Sequence, residues 1–119
     1  MEDYILREID RIGEMLMKIA RKLGWLDGGA QDYTMADVKE EFGKASLPFD
    51  LESVLREENP ILYLVEEKEL SNQGLELFID IIFHSDLDEA VKEALLKDAL
   101  ACLDSRGYYS FRLHSLVTE

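Results

Sequence analysis

Apolar residues recur at helical spacing along the start of the chain. Ile5, Ile9, Ile12, Leu16, Ile19, Leu23 and Leu26 alternate gaps of four and three, so all of them fall on one stripe of a helix. Leu6, Met15, Met17 and Ala20 widen that face beyond a narrow seam. The pattern predicts a helix over 4–26 that ends near Gly24, with Asp27-Gly28-Gly29 as the following loop. Gly13, in the middle, costs about 1 kcal/mol relative to Ala and points to close approach of a neighbouring helix. The same spacing would suit a coiled-coil pair with a second copy. The stripe covers only about three heptads and is too wide for a strict seam, which favours packing within the chain. A homodimer through Ile5, Ile9, Ile12, Leu16, Ile19 and Leu23 is the alternative.

Shorter helices follow. Thr34 and Asp37 have the spacing of a capping box, and Met35, Val38 and Phe42 supply an apolar face before Gly43 to Pro48 breaks the pattern. Asp50 suits the N-cap of a short helix whose Leu51, Val54 and Leu55 face inward. Asn59-Pro60 opens another, running through Ile61, Leu62, Leu64 and Val65, with Pro60 at its first position. Ser71 caps a helix over 72–84, where Leu75, Leu77, Phe78, Ile79, Ile81, Ile82 and Phe83 leave almost no polar side. A helix apolar all round is a buried one, so this segment is the predicted centre of the core. A strand over 77–83 competes on the β-propensity of Ile and Phe, but no other strand candidate exists to pair with it. Asp86 with Glu89 predicts a capping box for a helix facing inward with Leu87, Val91, Ala94, Leu95, Ala99, Cys102 and Leu103, stopped by Arg106-Gly107. Residues 108–117 form either a last short helix capped by Ser110 or an extended tail, docked by Tyr108, Phe111 and Leu116. The prediction is an all-α fold: a single helical domain over 1–119, built as a compact array of five to seven helices in antiparallel hairpins. Residues 94–103 alternate small and large side chains as a tetratricopeptide helix does, but no repeat of about 34 residues is visible.

Composition narrows the function classes. The chain has 119 residues, 47% of them apolar, and a core of that size needs no disulfide or metal. One cysteine excludes an internal disulfide. The formal net charge is −13. Five acids and five bases cancel within residues 1–26, leaving 21 acids against 8 bases in 27–119. Such a surface repels phosphate backbones and anionic lipid, so neither nucleic acid nor a membrane is an expected partner, and a basic protein is favoured. Lys18, Arg21 and Lys22 make the densest basic group, on the last turns of the first helix, where cations offset the helix dipole. An acidic start and an apolar stripe broken by charge exclude a signal peptide and a membrane span, which predicts a cytoplasmic location.

Candidate chemistry is sparse. His84, Asp86, Asp88 and Glu89 are the densest potential ligands, but they lack the glycine and the spacing of an EF-hand loop. Two histidines and one cysteine are too few for zinc, so no metal or cofactor is predicted. Cys102 with His84 or His114 has the elements of a nucleophile and base, but an apolar helix face in an acidic chain does not favour a thiolate, and a buried structural cysteine is expected. Gly28-Gly29 follows a helix and lacks the Gly-Lys-Ser/Thr of a phosphate loop. The pairs Glu40-Glu41, Glu57-Glu58 and Glu66-Glu67 are unremarkable among 26 acids. No catalytic residue is assigned. Trp25, Tyr33, Tyr63, Tyr108 and Tyr109 are the candidate partner-binding residues, because aromatics dominate binding hot spots.

The opening Tyr4-Ile5-Leu6-Arg7-Glu8-Ile9-Asp10-Arg11-Ile12, with Leu16, Ile19 and Ala20, resembles the first helix of a group of small uncharacterised bacterial proteins. Ala99-Leu100-Ala101-Cys102-Leu103 followed by Tyr109-Ser110-Phe111-Arg112 resembles the end of the same group. Those proteins are similar in build to tetratricopeptide-like helical arrays. The resemblance implies an all-helical fold in a bacterial cytoplasm and brings no activity, ligand or catalytic residue. Together the sequence points to a non-catalytic protein–protein interaction module with a basic partner. The alternative is a small-molecule-binding protein or enzyme with a pocket near Cys102 and His84.

Overall fold

A computed structural model describes residues 11–23 and 33–117. They form helices α1 (Arg11–Leu23), α2 (Met35–Ala45), α3 (Leu51–Arg56), α4 (Pro60–Leu62), α5 (Asn72–Phe83), α6 (Glu89–Ser105) and α7 (Phe111–Val117). A π-helical turn, Tyr63–Glu67, continues α4. No strand occurs among the described residues, so 77–83 is helical. Residues 111–117 are a helix rather than a tail.

Local side-chain chemistry sets most of the boundaries. Thr34 Oγ1 accepts from the Asp37 amide and Asp37 Oδ2 from the Thr34 amide, both at 3.1 Å, completing the capping box of α2. Asp50 accepts from Ser53 N at the start of α3, Asn59 from Leu62 N at α4, and Ser71 from Gly74 N at α5. Ser110 does the same for Leu113 N at the start of α7. Each satisfies an amide that the first helical turn leaves without a partner. At the other end of α6, Gly107 takes a φ of 72°, which an L side chain adopts only at a cost, and the chain reverses there.

α5 lies at the centre. Residues 74–82 are all buried, and α1, α2, α6 and α7 pack on it. The rings of Phe42, Phe49 and Phe78 form a triangle with centroids 6.1 Å apart on every side, joining α2, the segment before α3 and α5. The described part of the first stripe turns into this core: Leu16 and Ile19 are buried, and Ile12, Met17 and Leu23 pack against it. That uses the face the homodimer alternative requires. Ile5, Ile9, Trp25 and Leu26 lie outside the described residues. Gly13 is buried in α1 and borders a cleft shared with Gln73 and Leu77 of α5.

Four expectations need correction. Asp86 does not cap α6; the helix starts after Asp88, which makes no side-chain cap bond. Asp86 Oδ1 instead accepts from the amide of Met35, the first residue of α2, at 2.8 Å. With the start displaced, the inner face of α6 is Lys92, Leu95, Leu96, Ala99 and Leu103, while Val91 and Ala94 are exposed. Phe111 does not dock α7; it is 81% exposed, and Leu113 and Leu116 take the buried positions. Cys102 is half-buried rather than buried, packed on the edge of the core. The helix that opens at Pro60 also loosens into a π turn, with Lys68 N donating to Tyr63 O at 3.3 Å. No helix among the described residues is long and apolar enough to cross a membrane.

Candidate functional site

The connection from α3 through the π turn builds an acidic groove. Glu57 and Glu58 follow α3, and Asn59-Pro60 redirects the chain into α4. Ile61 and Leu64 then point into the core at 1% and 0% exposure. Leu62, Tyr63, Glu66 and Glu67 are left on the side that faces the first glutamate pair. The result is an open groove of about 340 Å³ with four carboxylates around Leu62 and Tyr63. Leu62 is 45% exposed. None of the four carboxylates makes an ion pair among the described residues. Of the two cations adjacent in sequence, Arg56 turns to Glu52 at 3.6 Å and Lys68 sits over the Tyr63 ring, 5.7 Å from its centroid. Acids elsewhere do find partners. Glu52 bonds Lys39 at 2.9 Å and lies 3.6 Å from Arg56, and Glu40 lies 3.2 Å from Lys44. The hydrogen bond and charge of Lys39 hold Glu52 below the usual carboxylate range, and Glu40 raises Lys44 above the usual lysine value.

A second polar group is buried. Glu76 and Asp80 stand one turn apart on α5 and are 8% and 4% exposed. Glu76 accepts from the Tyr108 hydroxyl at 2.7 Å and, through its other oxygen, from the Ser110 hydroxyl. Asp80 pairs with Arg112 at 2.9 Å and with His84 Nδ1 at 3.2 Å. Paired carboxylates can serve acid–base chemistry, but here every oxygen holds a group of the segment 108–112 or of the α5 terminus. The cluster fastens α7 to α5. Its sequence signal was two acids four residues apart within an otherwise apolar helix.

The candidate aromatics fall into different roles. Tyr33 is a core residue, 7% exposed, whose hydroxyl donates to the Ile81 carbonyl at 2.8 Å. Tyr108 belongs to the fastening cluster. Tyr63 lines the acidic groove. Tyr109 is 61% exposed, stacked on His114 at 4.4 Å with its edge toward Phe111 at 5.0 Å. Trp25 lies outside the described residues. Cys102 and His84 line neither the acidic groove nor the cleft of about 330 Å³ between α1, α5 and α7, which Lys18, Arg21 and Arg112 share with Glu14 and Glu76. No group of three or more His, Cys, Asp or Glu among the described residues is placed to hold a metal ion. Comparison with family models, curated sequences and solved structures gives no match.

Proposed function

We propose that the protein is a non-catalytic interaction module that takes a basic segment of a partner protein in the acidic groove between α3 and the π turn. The observation that carries this reading is the set of four glutamates, Glu57, Glu58, Glu66 and Glu67, around exposed Leu62 and half-buried Tyr63, none of them in an ion pair among the described residues. Like charges held together repel, and the folded chain bears that repulsion here while most of its lysines and arginines lie elsewhere. A Lys- or Arg-rich segment relieves it, and Leu62 and Tyr63 offer the apolar contact that sets register. Exposed charge pairs contribute about 0–1 kcal/mol each, so the complex is of moderate affinity, forms quickly by electrostatic steering and weakens with salt. In this reading the protein works in the cytoplasm, and its charge keeps it from nucleic acid and anionic lipid.

The test is a titration of the isotope-labelled chain with a Lys/Arg-rich peptide carrying one leucine, followed by amide chemical shifts. The shifts concentrate in 57–67, are largely lost between about 50 and 300 mM salt, and disappear in Glu58→Lys/Glu66→Lys. A control variant with the same charge change elsewhere, Glu89→Lys/Glu93→Lys, keeps them. Shifts spread evenly over the acidic surface, or equal loss in both variants, would remove the groove from the reading.

A further inference from the structure

A larger groove, of about 990 Å³, runs between α1, the end of the π turn and the ends of α5 and α6. Ile12 and Met15 of α1, Pro48, Val65 of the π turn and Leu70 before α5 give it an apolar strip, beside polar Ser46, Ser71 and Asn72 and the acidic Glu69. Two cations, Lys68 and Arg106, stand on its rim. Arg106 is held in place by Asn72, whose Oδ1 accepts from Nη1 at 2.8 Å. Neither cation pairs with a carboxylate among the described residues, although the chain carries 26 acids against 13 bases.

Backbone conformation marks the same place. Ser46 and Glu69 are the two non-glycine residues with positive φ among the described residues, at 55° and 52°. Both line this groove. Ser46 ends α2, and its amide bonds the Gly43 carbonyl. Glu69 follows the π turn, where Leu70 N reaches back to the Leu64 carbonyl at 3.0 Å. Left-handed backbone at residues with a Cβ persists where the surrounding structure imposes it, and here the two sites shape the groove from opposite sides of the sequence.

We infer that this groove binds an amphipathic anion: an unbranched hydrocarbon chain laid along Ile12, Met15, Val65 and Leu70, with a carboxylate head between Lys68 and Arg106. Apolar walls with a few placed polar groups are the usual make-up of small-molecule sites, and this volume falls within their range. The rim decides the sign of the head group. In an acidic protein a cationic amphiphile would find carboxylates everywhere, whereas an anionic one is repelled except where cations outnumber acids, as Lys68 and Arg106 outnumber Glu69 at this groove. Arg106 offers a planar fork suited to a carboxylate, and Asn72 already fixes its orientation. The site borders the acidic groove at Lys68, whose ammonium lies over the Tyr63 ring, so Arg106→Glu is the variant that tests it without touching that groove.

The probe is sodium dodecanoate, titrated into the full chain below its micellar concentration and followed by amide shifts and calorimetry. Shifts at residues 12–15, 65–72 and 106 are expected. Each buried methylene contributes about fourfold to affinity, so hexanoate, shorter by six, binds weaker by about a thousandfold or more. Lys68→Glu and Arg106→Glu each weaken dodecanoate about tenfold with the helical circular dichroism unchanged, and Met15→Gln weakens it through the wall alone. Dodecyltrimethylammonium does not shift these amides. Absence of dodecanoate shifts in the groove, equal binding of the ammonium probe, or indifference to both charge variants overturns the inference. So does movement of the same amides with protein concentration alone, which would assign the groove to a second copy.

Discussion

The carbonyls at the end of α5 show how single side chains complete a helix. The last four carbonyls of a helix have no partner within it. In α5 the Asp80 carbonyl takes the His84 amide and Nδ1, and the Ile82 carbonyl takes the amide and hydroxyl of Ser85. The Ile81 carbonyl is reached by Tyr33 Oη from outside the helix. Tyr33→Phe preserves the ring and orphans that buried carbonyl. The expected loss is about 1–2 kcal/mol, the cost of a buried acceptor without a donor, read as a lower denaturation midpoint at unchanged m-value. A change within about 0.3 kcal/mol would mean that water replaces the hydroxyl. At this scale the sequence was legible wherever the bond is local. Thr34, Asp50, Ser71 and Ser110 cap helices that begin one residue later. Asp86 was misread because its partner, the Met35 amide, is 51 residues away. An N-capping side chain serves any nearby helix start, and sequence alone does not say which.

Helix α5 combines two functions that its composition disguises. Its apolar residues fill the core, and its two acids, Glu76 and Asp80, hold the segment that precedes and opens α7. α7 has only seven residues, too few to be stable by itself. Buried Leu113 and Leu116 and the α5 acids therefore supply what helix propensity does not. Glu76→Ala leaves the Ser110 hydroxyl buried without its acceptor and removes two charge-assisted bonds, each worth about 1.5–3 kcal/mol when intact. Because Tyr108 can turn toward water, the net expected loss is about 2–3 kcal/mol. Hydrogen exchange provides the sharper check: amides of 113–117 should open faster while those of α5 keep the global rate. If protection falls uniformly, the cluster holds the whole fold and α7 is no separate unit. The inner face of α6 illustrates the limit of periodicity. Once the helix starts at Glu89, Leu96 rather than Val91 faces inward, and Lys92 buries its stem with its ammonium 5.8 Å from the Phe83 ring centroid. The spacing pattern contained both solutions, and the displaced N-terminus selected one.

For the whole molecule, helix content and a single core followed from apolar spacing, whereas the grooves did not. Ile12, Val65 and Arg106 line one groove only through the packing of α1 against α5 and the bond from Arg106 at the end of α6 to Asn72 at the start of α5. The acidic groove was half visible: both glutamate pairs and Tyr63 stood out, but only the turn at Pro60 sets the pairs facing each other. The charge that makes both proposals selective also bears on stability. A net −13 is spread over described residues whose Cα radius of gyration is 13.7 Å, so many like charges lie within about one Debye length of each other at 0.1 M salt. Favourable pairs oppose this repulsion. Glu52, lowered by Lys39, stabilises the fold above the ordinary carboxylate range, and that contribution is lost as pH falls through its folded value. Lys44, raised by Glu40, stabilises below 10.5, and its contribution is lost as pH rises through its folded value. Both contributions are present at pH 7, but these groups are exposed and salt weakens them along with the repulsion. Two acids for every base leave repulsion as the larger quantity. Raising sodium chloride from about 10 to 300 mM at pH 7 should therefore raise the melting temperature by several degrees, since about 1 kcal/mol moves a domain of this size by about 4 °C. Glu58→Lys/Glu66→Lys removes part of the densest repulsion, so it should raise the low-salt melting temperature and flatten the salt dependence. A melting temperature that falls with salt would place the surface ion pairs, rather than the crowded carboxylates, in control of stability, and the acidic groove would lose its reason to seek a cation.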